Sequence, residues 1–336
     1  MRKALSLTAA LAAVSVSHAV DPVYSDPVGF VKLGNTAADG ATIPAVPANT
    51  DVRIAIPLEQ EIAFSGVVDS TSANSITIAN NPGFTANAWA PADATPFTAI
   101  IGGSGSESGL RALITANTAD TLTVSVTTPG DLTQVAQGEP VLIRPCWTLS
   151  TFFADSALTD NCQVLLWEPT DTLINQAAKN TYIYFGGDWY DNLTFDPANH
   201  VILYPGESFR LRSDATPIST LTVFGDVPTT PLRNELVRDG AGTEDLHLAN
   251  MSPVPVPLAS LSIPAADNDL MILYNNAAAG INKDKQQAMI FFGGRWYDDI
   301  SFADVTDSIT IFPGTGFNYR RADTAPASEE WTEPAP

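Results

Sequence analysis

Cysteine occurs twice and histidine three times in 336 residues, and 16 Lys and Arg face 37 Asp and Glu. Each scarcity narrows the chemistry. Nucleic acid and anionic lipid headgroups are poor partners for a chain of net charge -21, because both need a basic footprint to displace counterions. His200 and His247, the histidines beyond the first twenty residues, lie in dissimilar contexts and offer a serine or cysteine nucleophile few bases. The stretch Gly102-Gly103-Ser104-Gly105-Ser106-Glu107-Ser108-Gly109 lacks both the spacing of a nucleophile elbow and the lysine of a phosphate-binding loop, and reads as a hairpin loop. Two cysteines without a neighbouring histidine make a poor metal site. No catalytic residue, metal or cofactor is therefore expected. A carboxylate pair for glycoside hydrolysis cannot be ranked among so many acids.

Long apolar runs are also missing. Arg2 and Lys3 precede a mostly apolar stretch from Ala4 to Val16, followed by Ser17-His18-Ala19, the pattern of a signal peptide cut after Ala19. That stretch is well short of the ~20 residues that span a bilayer. The expectation is export to the periplasm, the cell surface or the medium, with Val20 as the mature N-terminus and no integral membrane segment thereafter. In such a compartment Cys146 and Cys162 are expected to form a disulfide, contributing about 3 kcal/mol by chain entropy. Dispersed acidic residues suit a soluble exported protein.

What is present is a repeat. YIYFGGDWYD, beginning at Tyr182, returns about 107 residues later as MIFFGGRWYD, beginning at Met289. The ungapped match extends through Leu166/Leu273, Ile174/Ile281, Asn175/Asn282, Phe195/Phe302 and Ile202/Ile309. About a dozen identities stand where chance gives roughly two, marking a duplicated unit. A further shared element, Pro205-Gly206-Glu207-Ser208-Phe209-Arg210-Leu211-Arg212 against Pro313-Gly314-Thr315-Gly316-Phe317-Asn318-Tyr319-Arg320, reads as a strand with Phe209 and Leu211 on one face. Gly138 to Arg144 is a fainter third version.

Alternating Val, Ile, Thr and aromatic residues, interrupted by Gly, Pro, Asn and Asp every eight to twelve or so residues, predict an all-β chain of tandem β-sandwich or barrel-like modules that include an internal duplication. Short helices are predicted around Ile174 to Lys179 and Ile281 to Gln287. The predicted division is a signal peptide over 1–19, an N-terminal β domain over 20–145, β repeats over 146–226 and 227–323, and a disordered Pro-rich tail over 324–336.

Ser25-Asp26-Pro27-Val28-Gly29-Phe30-Val31, Trp147-Thr148-Leu149-Ser150-Thr151-Phe152-Phe153, the Gly-x-Trp hairpins and the Pro-Gly-x-x-Phe strands together resemble a family of secreted proteins that occurs as multiple paralogues in verrucomicrobial bacteria. The resemblance covers most of the chain beyond residue 19. It implies an envelope or extracellular location and carries over no catalytic residue.

The candidate ligand-binding residues are Trp189, Tyr190 and Asp191 with their counterparts Trp296, Tyr297 and Asp298. Aromatic faces beside carboxylates suit a sugar or a small cation. Equally, a repeated hairpin needs a repeated core residue, and an aspartate behind it can cap a turn. Asp239 to Asp245 lacks calcium-loop spacing and reads as a turn. The function expected is a non-enzymatic structural or adhesive envelope protein, with a carbohydrate-binding module using Trp189 and Trp296 as the alternative. Other envelope proteins or an extracellular glycan are the partners these readings imply.

Overall fold

The computed structural model describes residues 28–33, 45–92, 94–167, 174–238, 243–250 and 252–335; the signal-peptide pattern lies outside them. The chain is all-β. β1 (Val28–Lys32) and β2 (Asp51–Ala55) lead into a closed six-stranded barrel of β3 (Phe64–Ser72), β4 (Ser75–Ile78), β5 (Phe97–Ile101), β6 (Arg111–Asn117), β7 (Thr121–Val126) and β8 (Pro140–Pro145). Closure through β3 and β8 leaves no open edge, and alternate residues such as Val68, Ile76, Leu122 and Ile143 fill the interior.

After one turn of helix, α1 (Leu149–Phe152), come β9 (Gln163–Leu166), β10 (Asn180–Phe185), β11 (Asp188–Asp191), β12 (Ser208–Arg212) and β13 (Thr222–Asp226). They do not form a unit by themselves. β2 completes their sheet, in the order β11-β10-β9-β12-β2, and β1 pairs with β13 as a ribbon. Ribbon and sheet enclose one core that includes Val223, Ile54, Leu211 and Trp189. Among the described residues, β1 and β2 thus pair with strands that follow residue 145, the predicted division, and the barrel is inserted between them in sequence.

The second module is continuous: β14 (Leu232–Val237), β15 (Glu244–Ala249), β16 (Val256–Pro257), β17 (Leu270–Tyr274), β18 (Lys285–Phe292), β19 (Arg295–Asp298), β20 (Thr310–Ile311), β21 (Gly316–Arg321) and β22 (Ser328–Glu333). Its sheet order, β19-β18-β17-β21-β15, copies the first module strand for strand, and β14 with β22 repeats the ribbon. The predicted disordered tail is therefore corrected over Ser328–Glu333, which form β22. Trp331 is wholly buried, donates its indole N–H to the Leu261 carbonyl at 3.0 Å, and packs in the core with Phe317 and Met271. An apolar anchor of that size outweighs the prolines around it.

The hairpins match expectation. Gly186 and Gly187, like Gly293 and Gly294, hold positive φ in two-residue turns, the requirement of a tight hairpin tip. The two predicted helices are absent. Asn175 and Asn282 instead sit at φ 53° and 51°, and Lys285 already begins β18, because these segments reach across to the opposite module.

Candidate functional site

The modules meet through reciprocal contacts. Asn175 in the first module donates its N–H to Asp245 Oδ2 in the second at 2.8 Å, and Asn282 donates to Asp51 Oδ2 at 3.1 Å. Each aspartate is also forked by the arginine opposite it in its own sheet, Arg320 Nε to Asp245 and Arg212 Nε to Asp51, both at 2.6 Å. Bridges of Ile54 with Thr315 and of Glu207 with Leu248 complete the pattern. One patch thus meets its own copy, the isologous geometry of a twofold dimer, here within a single chain.

On that quasi-twofold, Arg53 of β2 and His247 of β15 stand at equivalent positions, Arg53 Nη1 lying 2.9 Å from His247 Nδ1. A guanidinium only donates, so Nδ1 accepts and the ring proton sits on Nε2. The imidazole stacks on Trp167 at 4.3 Å, and Arg53 lies over the Tyr274 ring at 4.2 Å. Asn318 Oδ1 accepts from Arg53, and the Arg210 guanidinium lies over the Trp167 ring at 4.9 Å. Burial, then the Arg53 and Arg210 charges, hold His247 well below its ordinary pKa. Burial, then Arg210, pushes Arg53 down to about 9. A cleft of about 320 Å³ opens beside this cluster, lined by Trp167, Tyr204, Ser208 and His247. Its arginines Arg111 and Arg233 are paired with Glu59, Glu107 and Glu330, a stabilising arrangement between barrel and modules.

The structure separates the six candidate residues into three roles. Trp189 and Trp296 are 1% and 4% exposed and pack against Phe153 and Phe291, so neither indole is a platform. Asp191 Oδ1 accepts the N–H groups of Leu193 and Thr194, and Asp298 Oδ1 those of Ile300 and Ser301. The Thr194 and Ser301 amides lead the lowering of their pKa values. Both aspartates are turn caps. Tyr190 and Tyr297 lie on the opposite sheet face from the tryptophans and stack on Phe195 at 4.5 Å and Phe302 at 5.2 Å, with ring planes nearly parallel.

Those phenylalanines are the residues that sequence reasoning missed. Phe195 and Phe302 are 53% and 57% exposed, Leu193 and Ile300 are 92% and 85% exposed, and Phe185 and Phe292 are also open to solvent. Phe195 and Phe302 further adopt φ 62° and 57°, a left-handed conformation that is unusual and costly for a bulky residue. Gly or Asn would close the same turn with less strain, yet both copies keep Phe. The available signal was identity itself: Phe185 and Phe195 recur without a core reason, since alternation from Tyr182 and Tyr184 turns Phe185 outward. Two equivalent aromatic faces result, each on the hairpin at the sheet edge remote from the module boundary. The backbone edges beside them are closed by the Ala198 N–H to Trp189 and Val305 N–H to Trp296 bonds, leaving side chains to make any contact.

The cysteines do not form the expected disulfide. Cys162 lies wholly inside the first-module core beside Thr159 Oγ1, whereas Cys146 ends the barrel wall, its N–H on the Pro96 carbonyl. The chain's turn through α1 gives the two side chains different surroundings, and burial pushes the Cys146 thiol up to about 12. Among the described residues no group of three His, Cys, Asp or Glu side chains could hold a metal ion, and no helix is long and apolar enough to cross a membrane. Of the Asp239 to Asp245 run, residues 239–242 lie outside the described residues, and Asp245 is the buried partner of Arg320.

No family model, no curated protein and no solved structure matches this chain.

Proposed function

We propose that the protein is a non-enzymatic structural or adhesive component exported to the bacterial cell surface or periplasm, working through two equivalent contact faces on one rigid body. The observation that carries this reading is the pair of solvent-exposed aromatic clusters, Phe185 with Phe195 and Phe292 with Phe302, kept in both copies with strained backbone at Phe195 and Phe302. Exposed apolar surface is costly unless it is used for contact. The reciprocal hydrogen bonds across the module boundary, Asn175 to Asp245 and Asn282 to Asp51, support a fixed spacing between the faces. The leader-like N-terminus and the resemblance to secreted verrucomicrobial proteins favour the location.

The test is fractionation of native cells combined with surface proteolysis. Recovery in the envelope or medium with Val20 at the N-terminus is the expected result, and a cytoplasmic protein retaining Met1 would refute export. Carbohydrate binding is the second reading, moved from the buried tryptophans to the stacked Tyr190–Phe195 and Tyr297–Phe302 pairs beside Asp191 and Asp298. Retention on a neutral polysaccharide array, lost in Phe195→Ala/Phe302→Ala, would favour it.

A further inference from the structure

The two faces are near copies with one charge-reversing difference. Within the repeated ten residues, YIYFGGDWYD and MIFFGGRWYD differ at Tyr182/Met289, Tyr184/Phe291 and Asp188/Arg295. Only the last changes charge. Asp188 and Arg295 both stand exposed at the hairpin tip, two residues before the stacked tyrosine of each face. The first face is flanked by Asp188, Asp191 and Asp196; the second has Asp298, Asp299, Asp304 and Asp307, offset by Arg295 at the tip and by Lys285, which pairs with Asp299. Arg295 bonds Asp304 at 2.8 Å and Asp307 at 3.2 Å, but these are exposed pairs with half of the guanidinium side chain still in solvent. Such pairs hold their partners weakly.

We infer that the partner of each face is the opposite face of a second copy of this chain. The apolar side chains Phe185, Leu193 and Phe195 would cover Phe292, Ile300 and Phe302, while Asp188 and Arg295 meet across the contact. Like faces are selected against. Pairing two first faces sets Asp188 against Asp188 among other carboxylates, and pairing two second faces sets Arg295 against Arg295; like charges in a contact are how specificity is gained at modest cost to affinity. Both faces sit on sheet edges four strand spacings from the strand at the quasi-twofold, about 19 Å, so one copy leaves both free to engage neighbours. A contact between different faces that does not close on itself propagates as an open filament. This rests on the structural reading above only for its biological purpose, since assembly of the purified protein is measured independently of where the cell places it.

The experiment is sedimentation velocity of the purified protein across a wide concentration range, with circular dichroism melting to confirm that each variant stays folded. The wild type should show a weight-average mass that climbs with concentration. Asp188→Arg alone, or Arg295→Asp alone, should weaken association about tenfold or more, equivalent to ~1.4 kcal/mol. The double variant, which exchanges the two charges, should restore it. Phe195→Ala/Phe302→Ala should weaken it in either charge background. A wild type that stays monomeric at every concentration overturns the inference, as does a double variant no better than its parents. Monomeric wild type retained on a neutral polysaccharide would assign the faces to glycan instead.

Discussion

Arg53 and His247 occupy the same position in the two halves of the chain and meet at 2.9 Å where the halves join. The symmetry of the duplication is broken at its own axis. Two arginines there would repel, whereas one arginine and one histidine give a directed hydrogen bond, provided the imidazole is neutral.

That proviso makes stability pH-dependent. The folded state holds His247 neutral to a pH well below the usual histidine range, while the unfolded chain takes up a proton near pH 6.5. A depressed base contributes stability fully present above the unfolded value and lost as pH falls below it, by up to about 1.4 kcal/mol per pH unit. His247→Gln keeps an acceptor for Arg53 and cannot titrate. Denaturant melts at pH 7 and pH 5.5 should show a larger loss in the wild type than in the variant; equal losses would remove His247 as the cause.

Replacing Trp189 or Trp296 by Ala empties a core position in one module. Each change should cost about 3–5 kcal/mol, seen as a lowered melting transition. A variant with an unchanged transition would mean that the indole contributes little to the core.

Glu59 follows β2 and accepts from Arg111 of β6 and lies 3.2 Å from Arg144 Nε of β8, while Arg144 Nη1 reaches Asp226 at the end of β13, 2.6 Å away. All four side chains are nearly buried. Glu59→Gln removes the carboxylate that faces both the Arg111 and the Arg144 guanidinium, and breaking a buried pair costs about 3–5 kcal/mol. The expected signature is local: proteolysis between residues 56 and 64 or near 146 should accelerate, releasing an intact barrel.

Deleting residues 328–336 should be far from harmless. Removal of β22 uncovers Leu236 and Phe317 and takes Trp331 from the core, so the second module should lose cooperative unfolding while the barrel transition remains. A truncated protein with the full-length melting profile would contradict the packing described for Trp331.

Local features were legible from residues alone. Tyr182 to Phe185 alternate, Gly186-Gly187 close a turn, and the Trp189 that follows must face the same way as Tyr184, which is why its burial could be anticipated from the hairpin. Features that depend on distant partners were not. Nothing near Asp51 announces that β2 pairs with β12, because Arg212 is 161 residues away. Ser328 to Glu333 alternates polar residues around a lone tryptophan and gains its strand character from β14. The cysteine pair suggested a bridge by number and compartment, but number says nothing of the direction in which each thiol points. Phe195 escaped notice for a different reason: a bulky residue in a left-handed turn violates local preference, and such violations are where function is concentrated.

The inserted barrel bears on the order in which the chain can be assembled. In the second module the Asp245–Arg320 fork closes over 75 residues, against 161 for Asp51–Arg212; by loop entropy alone the longer closure costs only about 0.7 kcal/mol more. The barrel removes much of even that. Its first and last strands are neighbours, Phe64 opposite Ile143, so once it folds, the ends of the intervening segment stand side by side. The first module then completes itself across a short gap, with the folded barrel acting as a clasp that brings β2 towards β12. During synthesis β2 waits unpaired until β12 arrives, and the barrel, whose strands are all contiguous in sequence, is the unit able to form in the interval.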